Sequence, residues 1–307
     1  MRQSAVLVLS AIGIFAGCSS GVTLDEGAYR QQIGEWQARR ETRLKAEDGW
    51  LSLVGLYWLK EGRNSVGGDS SLAVVLPPEH APSSLGTITM TGDSMWFDAT
   101  PGVDVRVGDS AVSAIRMRPD SDEQGPTILR HGSIRFYLIR RGDQVGVRIK
   151  DSMSLNRLQF AGLSFFPIDT RWRVRARYVP YNPPKMSKIA TMINTEEDYA
   201  FPGALVFTLD GNEYTVDVAI EEGLDTPVFL MFGDLTNGDE TYGPGRQLYA
   251  ALPDSTGFLT LDFNQAYNWP CVYTEYATCP IPPPQNRLPV RIEAGEKLPP
   301  GYKEHSQ

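Results

Sequence analysis

The chain of 307 residues is predicted to be mainly β: an antiparallel β-sandwich, then a second antiparallel β unit, with one N-terminal helix. Three observations predict this. From Trp50 onward the sequence runs in short apolar stretches broken by Gly, Asp, Asn or Pro about every eight to twelve residues. Glycine–aspartate turns join several of them, as at Thr91-Gly92-Asp93 and Arg141-Gly142-Asp143. Only one long stretch, ahead of Trp50, carries a helical period.

That stretch is LDEGAYRQQIGEWQARRETRLKAEDGW, expected to be helical over 25–48. Thr23 and Glu26 fit a capping box, Tyr29, Ile33, Trp36, Arg40 and Leu44 recur on one face, and Gly49 is the expected stop. Arg39, Arg40 and Arg43 alternate with Glu35, Glu41 and Glu47, which reads as a solvated face rather than a basic patch. The sandwich is placed over 49–159, with strands in WLSLVGLYWL, LAVVLP, LGTITMTG, SMWFDA, VDVRVG, AVSAIRMR, IRFYLIRR and QVGVRIKD. The second unit, 160–307, opens with Arg171, Arg173, Arg175 and Arg177 alternating with Trp172, Val174, Ala176 and Tyr178, a strand with one arginine-bearing face. A solvated face and an anion-binding surface are both open to it. Further strands follow at ALVFTLD, NEYTVDVAI, PVFLMFGD, RQLYAAL, FLTLDFN and LPVRIEAG, and Asp210-Gly211 is a strong hairpin signal. Asn182-Pro183-Pro184 reads as a turn.

The first residues, 1–17, have the proportions of a secretory signal: Arg2, an apolar run from Ala5 to Phe15, then small residues. Phe15-Ala16-Gly17-Cys18 resembles the lipobox of bacterial lipoproteins, whose cysteine becomes the lipidated first residue; a tether over 18–24 follows. The expectation is a protein lipid-anchored in the cell envelope through Cys18 and facing the periplasm, with Ser19 suggesting the outer membrane. A signal cleaved elsewhere, releasing a soluble protein, is the alternative. The formal charge of −8 disfavours nucleic acid and anionic lipid surfaces as partners. With Cys18 lipidated, Cys271 and Cys279 remain as a pair in an oxidising compartment, which favours a disulfide over free thiols or a metal site.

Two family likenesses are carried by specific stretches. The layout of EGRNSVGGDSSLAVVLP, LGTITMTG and VDVRVGDSAV loosely resembles forkhead-associated domains, β-sandwiches that bind phosphothreonine. Gly68 stands where those domains carry an arginine, and His80 lacks the usual Ser-x-x-His setting, so the likeness implies the fold without the phosphopeptide site. The segments GVRIKDSMSLNRLQFAGLSFFPIDTRWRVRARYVPY, FGDLTNGDETYGPGRQLY, AYNWPC and TCPIPPPQNRL are similar to the bacterial domain of unknown function 1684 family. With GWLSLVGLYWLKEGRNSVGG upstream, the resemblance covers about 45–297, and Trp269 departs from that family's Pro-Pro-Cys. It implies architecture and candidate positions, not a reaction.

Three polar segments are candidates for a site. Arg148-Ile149-Lys150-Asp151 ends a strand, which puts Arg148 and Asp151 at a loop edge, as an ion pair or as ligand contacts. GDLTNGDETYGPGR, from Gly233 to Arg246, offers Asp234, Thr236, Asn237, Asp239 and Glu240 as oxygen donors to calcium, although the spacing is not that of an EF-hand and an ordinary turn competes. No obligatory cofactor is otherwise expected. Thr241, Tyr242 and Arg246 could line a pocket there, with Gly243 and Gly245 permitting close backbone approach. The third is LDFNQAYNWPC onward. Asp262, Asn264, Tyr267, Asn268, Tyr273, Asn286 and Arg287 either satisfy irregular backbone or converge on a polar ligand such as a sugar or acyl headgroup.

Signatures of known catalysis are missing: no Gly-x-Ser-x-Gly elbow, no phosphate-cradling loop and no dinucleotide fingerprint. Carboxylate pairs exist (Asp234 with Asp262, Asp151 with Glu296) and would suit a cofactor-independent hydrolase. The leading expectation is a module that binds a small polar or amphipathic ligand between the Gly233–Arg246 loop and the Asp262–Arg287 segment. A hydrolase in the same pocket and an envelope scaffold are the rivals. The discriminating question is whether Asp234, Arg246, Asp262 and Asn268 face one cleft.

Overall fold

The structure is a computed structural model that describes residues 24–302; the signal, Cys18, most of the tether and His305 lie outside the described residues. Helix α1 spans Glu26–Leu44 and buries Tyr29, Ile33 and Leu44, the expected stripe. Its N-cap is Asp25, whose carboxylate accepts from the Ala28 N–H at 3.1 Å, two residues beyond the expected Thr23. It also stops short of Gly49, which instead closes the next turn by donating to the Ala46 carbonyl at 2.8 Å.

Eleven strands build the sandwich: β1 (Leu53–Trp58), β2 (Gly62–Gly67), β3 (Val74–Val75), β4 (Gly86–Thr91), β5 (Ser94–Ala99), β6 (Arg106–Val107), β7 (Ser110–Ala111), β8 (Ala114–Arg116), β9 (Leu129–His131), β10 (Ile134–Arg141) and β11 (Gln144–Asp151). One sheet runs β1-β11-β10-β9-β6-β7 and the other β3-β2-β4-β5-β8, antiparallel except for β2 with β3. Val66, Ile88, Phe97, Phe136, Val147 and Ile149 fill the space between them. Each such side chain taken out of water contributes roughly 1.5–3 kcal/mol. The Gly92-Asp93 and Gly142-Asp143 turns join the expected hairpins.

A connecting stretch with the short helix α2 (Leu155–Leu158) leads to the second unit. Its strands are β12 (Arg173–Ala190), β13 (Glu196–Leu209), β14 (Asn212–Ile220), β15 (Val228–Phe232), β16 (Arg246–Ala250), β17 (Phe258–Asp262) and β18 (Tyr267–Asn268), in the order β17-β12-β13-β14-β15-β16-β18. Asp210 and Gly211 both take positive φ (48° and 78°), the twist that a two-residue hairpin requires. Arg173, Arg175 and Arg177 point to solvent along β12, and Arg175 lies over the Phe258 ring at 3.6 Å. Asn182-Pro183-Pro184, read as a turn, is an irregularity inside β12: pairing with β13 breaks between Pro180 and Lys185, and the peptide before Pro183 is cis.

This second sheet is covered on both faces. Along β15, Val228, Leu230 and Phe232 join a cluster with Trp172, Phe207, Leu261 and Phe263, whereas Phe229 and Met231 join another with Leu44, Leu51, Trp269, Cys271 and Cys279. The unbroken apolar run VFLMF is the consequence. In β11 the alternation is equally plain: Val145, Val147 and Ile149 enter the sandwich core, and Arg148 takes the opposite face. That face looks toward α1 and the second unit, so Arg148 sits in mid-strand, paired in register with Leu56 and Tyr137, not at a loop edge.

Candidate functional site

Most of the polar residues singled out in the sequence are structural pins, and they fall in separate places. Arg246, wholly buried, donates from Nη2 to Asp234 Oδ2 at 2.6 Å and to the Ile292 carbonyl at 2.8 Å, and from Nη1 to the Ala294 carbonyl at 2.5 Å. Asp234 Oδ1 in turn accepts from the Thr236 N–H and hydroxyl, and the Thr236 hydroxyl bonds that of Thr241. This latch ties the Gly233–Arg246 loop to the C-terminal segment. Gly245 is required there: φ is +141°, and a Cβ would stand 2.5 Å from the Phe232 carbonyl oxygen. The carboxylates expected for calcium face the protein's own cations, Glu240 accepting from Arg291 at 2.6 Å and Lys297 at 2.9 Å. Among the described residues no group of three His, Cys, Asp or Glu is placed to hold a metal ion.

A second pin fastens the start of α1. The Tyr29 hydroxyl donates to Asp262 at 2.9 Å, and Asn264 Nδ2 reaches the Tyr29 oxygen at 2.8 Å and the Asp169 carbonyl at 2.9 Å. Burial raises the Asp262 carboxyl, against the hydrogen bonds from Asn264 and Tyr29. A third pin, Asn286, bridges the Asp217 N–H, the Asp217 carbonyl and the Met231 carbonyl. Arg287 beside it is exposed. Asp151 accepts from Met153 N–H and lies 2.5 Å from His80 Nδ1. Neither carboxylate pair lines the cleft described next.

The fourth cluster fastens the other end of α1. Glu296, fully buried, accepts from Arg40 Nε at 3.1 Å, from Asn268 Nδ2 at 3.2 Å and from the Tyr273 hydroxyl. The Tyr242 N–H donates to Asn268 Oδ1 at 3.3 Å. The Arg40 guanidinium lies over the Tyr267 ring at 4.6 Å. Burial pushes the Tyr267 hydroxyl up to about 12 against the pull of Arg40.

Arg40 and Tyr267 also form part of a wall. A cleft of about 580 Å³ opens where α1, the outward face of β11 and the second unit meet, lined by Arg40, Arg43, Trp50, Arg141, Arg148, Gln247, Tyr249, Tyr267, Trp269 and the Ala277–Pro280 stretch. The Cys271–Cys279 disulfide, with Cα atoms 6.3 Å apart, braces this last stretch. Arg148 is 5% exposed, and among the described residues its side chain forms no ion pair and no hydrogen bond, its Nε being buried without a partner. Its guanidinium is held over the Trp50 ring at 5.3 Å, with the Lys150 ammonium 5.6 Å from the same ring. Trp269, 6% exposed, also carries an unpartnered buried donor, the indole Nε1–H. Two such groups on one cleft are unusual, because a buried donor left unpaired costs roughly 1–3 kcal/mol, and more when charged. A ligand acceptor, anionic for preference at Arg148, is the kind of partner such donors lack.

Of the residues singled out in the sequence, the structure therefore brings Arg148 and Tyr267 to one cleft, with Asn268 and Tyr273 directly behind it. Asp234, Thr241, Tyr242, Arg246, Asp262, Asn264, Asn286 and Arg287 lie elsewhere, and Asp234, Arg246, Asp262 and Asn268 do not converge on one cavity. Trp50, Tyr249 and Trp269 are not picked out by the sequence as site residues, and Arg40 and Arg43 read there as a solvated face; Arg43 is exposed, but Arg40 is turned inward onto buried Glu296. Arg40 carried a signal: a charged residue on the apolar stripe of α1 needs a buried partner. Another depression, of about 600 Å³, lies between Leu155–Gly162 and Pro299–Tyr302, but neither unpaired donor reaches it.

A family model described as "Protein of unknown function (DUF1684)" matches residues 158–297. The match takes in Tyr249, Tyr267, Trp269 and both bonded cysteines, and starts downstream of Arg40, Trp50 and Arg148. Among solved structures, an uncharacterized protein of Haloarcula marismortui determined by solution NMR is similar, with 32% identity, 46% of this chain and 78% of that chain covered, and a TM-score of 0.38. No curated protein matches the chain.

Proposed function

We propose, for a chain that belongs to the family of unknown function DUF1684, that the cleft between α1, β11 and the second unit binds a small acidic molecule. Arg148 holds its anionic group, and Trp50, Trp269 and Tyr249 flank it. The observation that carries this reading is the pair of buried, unpartnered donors, Arg148 Nε and Trp269 Nε1, on one cavity wall. In a protein with a formal charge of −8, the cleft wall carries Arg40, Arg43, Arg141 and Arg148 and one carboxylate, Asp48, and Arg43 and Arg148 form no ion pair among the described residues, which favours anions there. Binding rather than hydrolysis is proposed because, among the described residues, this cleft is lined by a single carboxylate, the exposed Asp48. In the same proposal the protein works in the cell envelope, held at the periplasmic face of the outer membrane by a lipid on Cys18, and the Cys271–Cys279 bond is a product of that compartment.

Calorimetric titration with benzoate and phenyl phosphate tests the cleft. Binding should be detected, and Arg148→Gln should abolish it while leaving the circular dichroism spectrum unchanged. Binding of both probes that survives Arg148→Gln sinks the reading. Metabolic palmitate labelling of the full-length chain, lost in Cys18→Ala, tests the anchor separately.

A further inference from the structure

The cleft does not end at Tyr267. A second lobe of about 640 Å³ adjoins it, bounded by Trp36, Arg39, Leu224, Thr226 and one carboxylate, Asp225, and the two lobes share Arg40, Arg43, Tyr249 and Tyr267. Most of the arginines along this groove already have acidic partners. Arg40 is paired with Glu296 at 3.1 Å, Arg141 with Asp120 at 2.9 Å, and Arg39 with Glu35 at 3.8 Å. Two are left over. Arg148 is buried in the first lobe, and Arg43, exposed, stands where the lobes join and acts electrostatically on the Tyr267 hydroxyl; neither forms an ion pair among the described residues. The Trp50 and Tyr267 rings line the same groove, the first with Arg148 over one face at 5.3 Å and the second with Arg40 at 4.6 Å.

Resting on the reading that the cleft binds an acidic molecule, we infer that its ligand carries two anionic groups on a flat or apolar spacer, one held by Arg148 and the other by Arg43. One negative charge would leave the second cation uncompensated, whereas a dianion pairs both and lays its spacer against the tyrosine and tryptophan rings. The buried group fixes the pose. The exposed one selects the dianion over a monoanion of the same shape, and does so most strongly at low salt, because Arg43 is open to solvent.

Titration of the full chain with benzoate, isophthalate and terephthalate tests this. At least one dicarboxylate should bind about tenfold more tightly than benzoate, the gain of one further charge-assisted contact. That ratio should fall to about one in Arg43→Gln and shrink as salt is raised, and Arg148→Gln should weaken all three probes. Equal affinities for benzoate and both dicarboxylates, or an unchanged ratio in Arg43→Gln, overturn the two-anion inference and leave the acidic-ligand reading standing. Failure of every probe to bind counts against both. Thermal melting of each variant separates lost binding from lost folding.

Discussion

Arg246 and Arg148 are both almost completely removed from water, and in both the Nε lacks a partner. Their surroundings are opposite. Arg246 gives its remaining donors to Asp234 and two carbonyls, and so closes a loop onto the second sheet. Arg148 gives nothing to the protein and is held by an aromatic ring beside open space. The first arrangement suits a fold, the second a ligand. The contrast teaches that burial of a charge does not by itself mark a site; what marks one is burial without satisfaction.

Four measurements bear on that contrast, in falling order of effect. Asp234→Ala leaves the Arg246 charge buried without its counterion and should cost about 3–5 kcal/mol in urea unfolding; a loss under 1 kcal/mol would erase the difference between the two arginines. Cys271→Ser with Cys279→Ser should cost about 2–3 kcal/mol under oxidising conditions, as expected for a short closed loop, and should loosen probe binding through the Ala277–Pro280 wall. Arg148→Met should move stability the other way, raising it by about 1 kcal/mol in the free protein, because an unpaired buried charge is replaced by an apolar side chain of similar length. A destabilised Arg148→Met would mean that this residue is a pin after all.

The smallest effect concerns pH. The Tyr267 hydroxyl is raised from 10.0 to about 12, so the fold favours its neutral form; that contribution is complete below pH 10 and is lost as pH rises through 12. Tyr267→Phe should flatten the alkaline limb of the stability curve in this window and change nothing at pH 7. An identical alkaline limb in the variant would show that the ring is not sequestered behind Arg40.

Much of the fold is legible in the sequence because it is local. Asp210-Gly211 dictates its own hairpin, and the stripe Tyr29, Ile33, Leu44 dictates which side of α1 is buried. The alternation in QVGVRIKD likewise places Arg148 opposite Val147 and Ile149. What an eight-residue window does not contain is the identity of what covers that opposite face. Here it is a helix and a second unit instead of solvent. The polar residues of the second half fail for the same reason. Asp262 finds Tyr29 across 233 positions, and Asn268 meets Glu296 across 28. Partners so remote leave no local spacing to read, so residues that looked like one convergent set are distributed over four pins.

Helix α1 is pinned by Tyr29 on Asp262 near its start and by Arg40 on Glu296 near its end, with Arg30 on the Ile168 carbonyl and Glu41 on the Leu163 N–H as further ties. Eleven residues of helix from Tyr29 to Arg40 make a strut of roughly 16 Å. The Tyr29 and Arg30 ties come first along the helix, and Arg40 and Arg43 lie beyond them. Force entering the helix from its first turn therefore meets Tyr29 before it meets Arg40 and the groove wall.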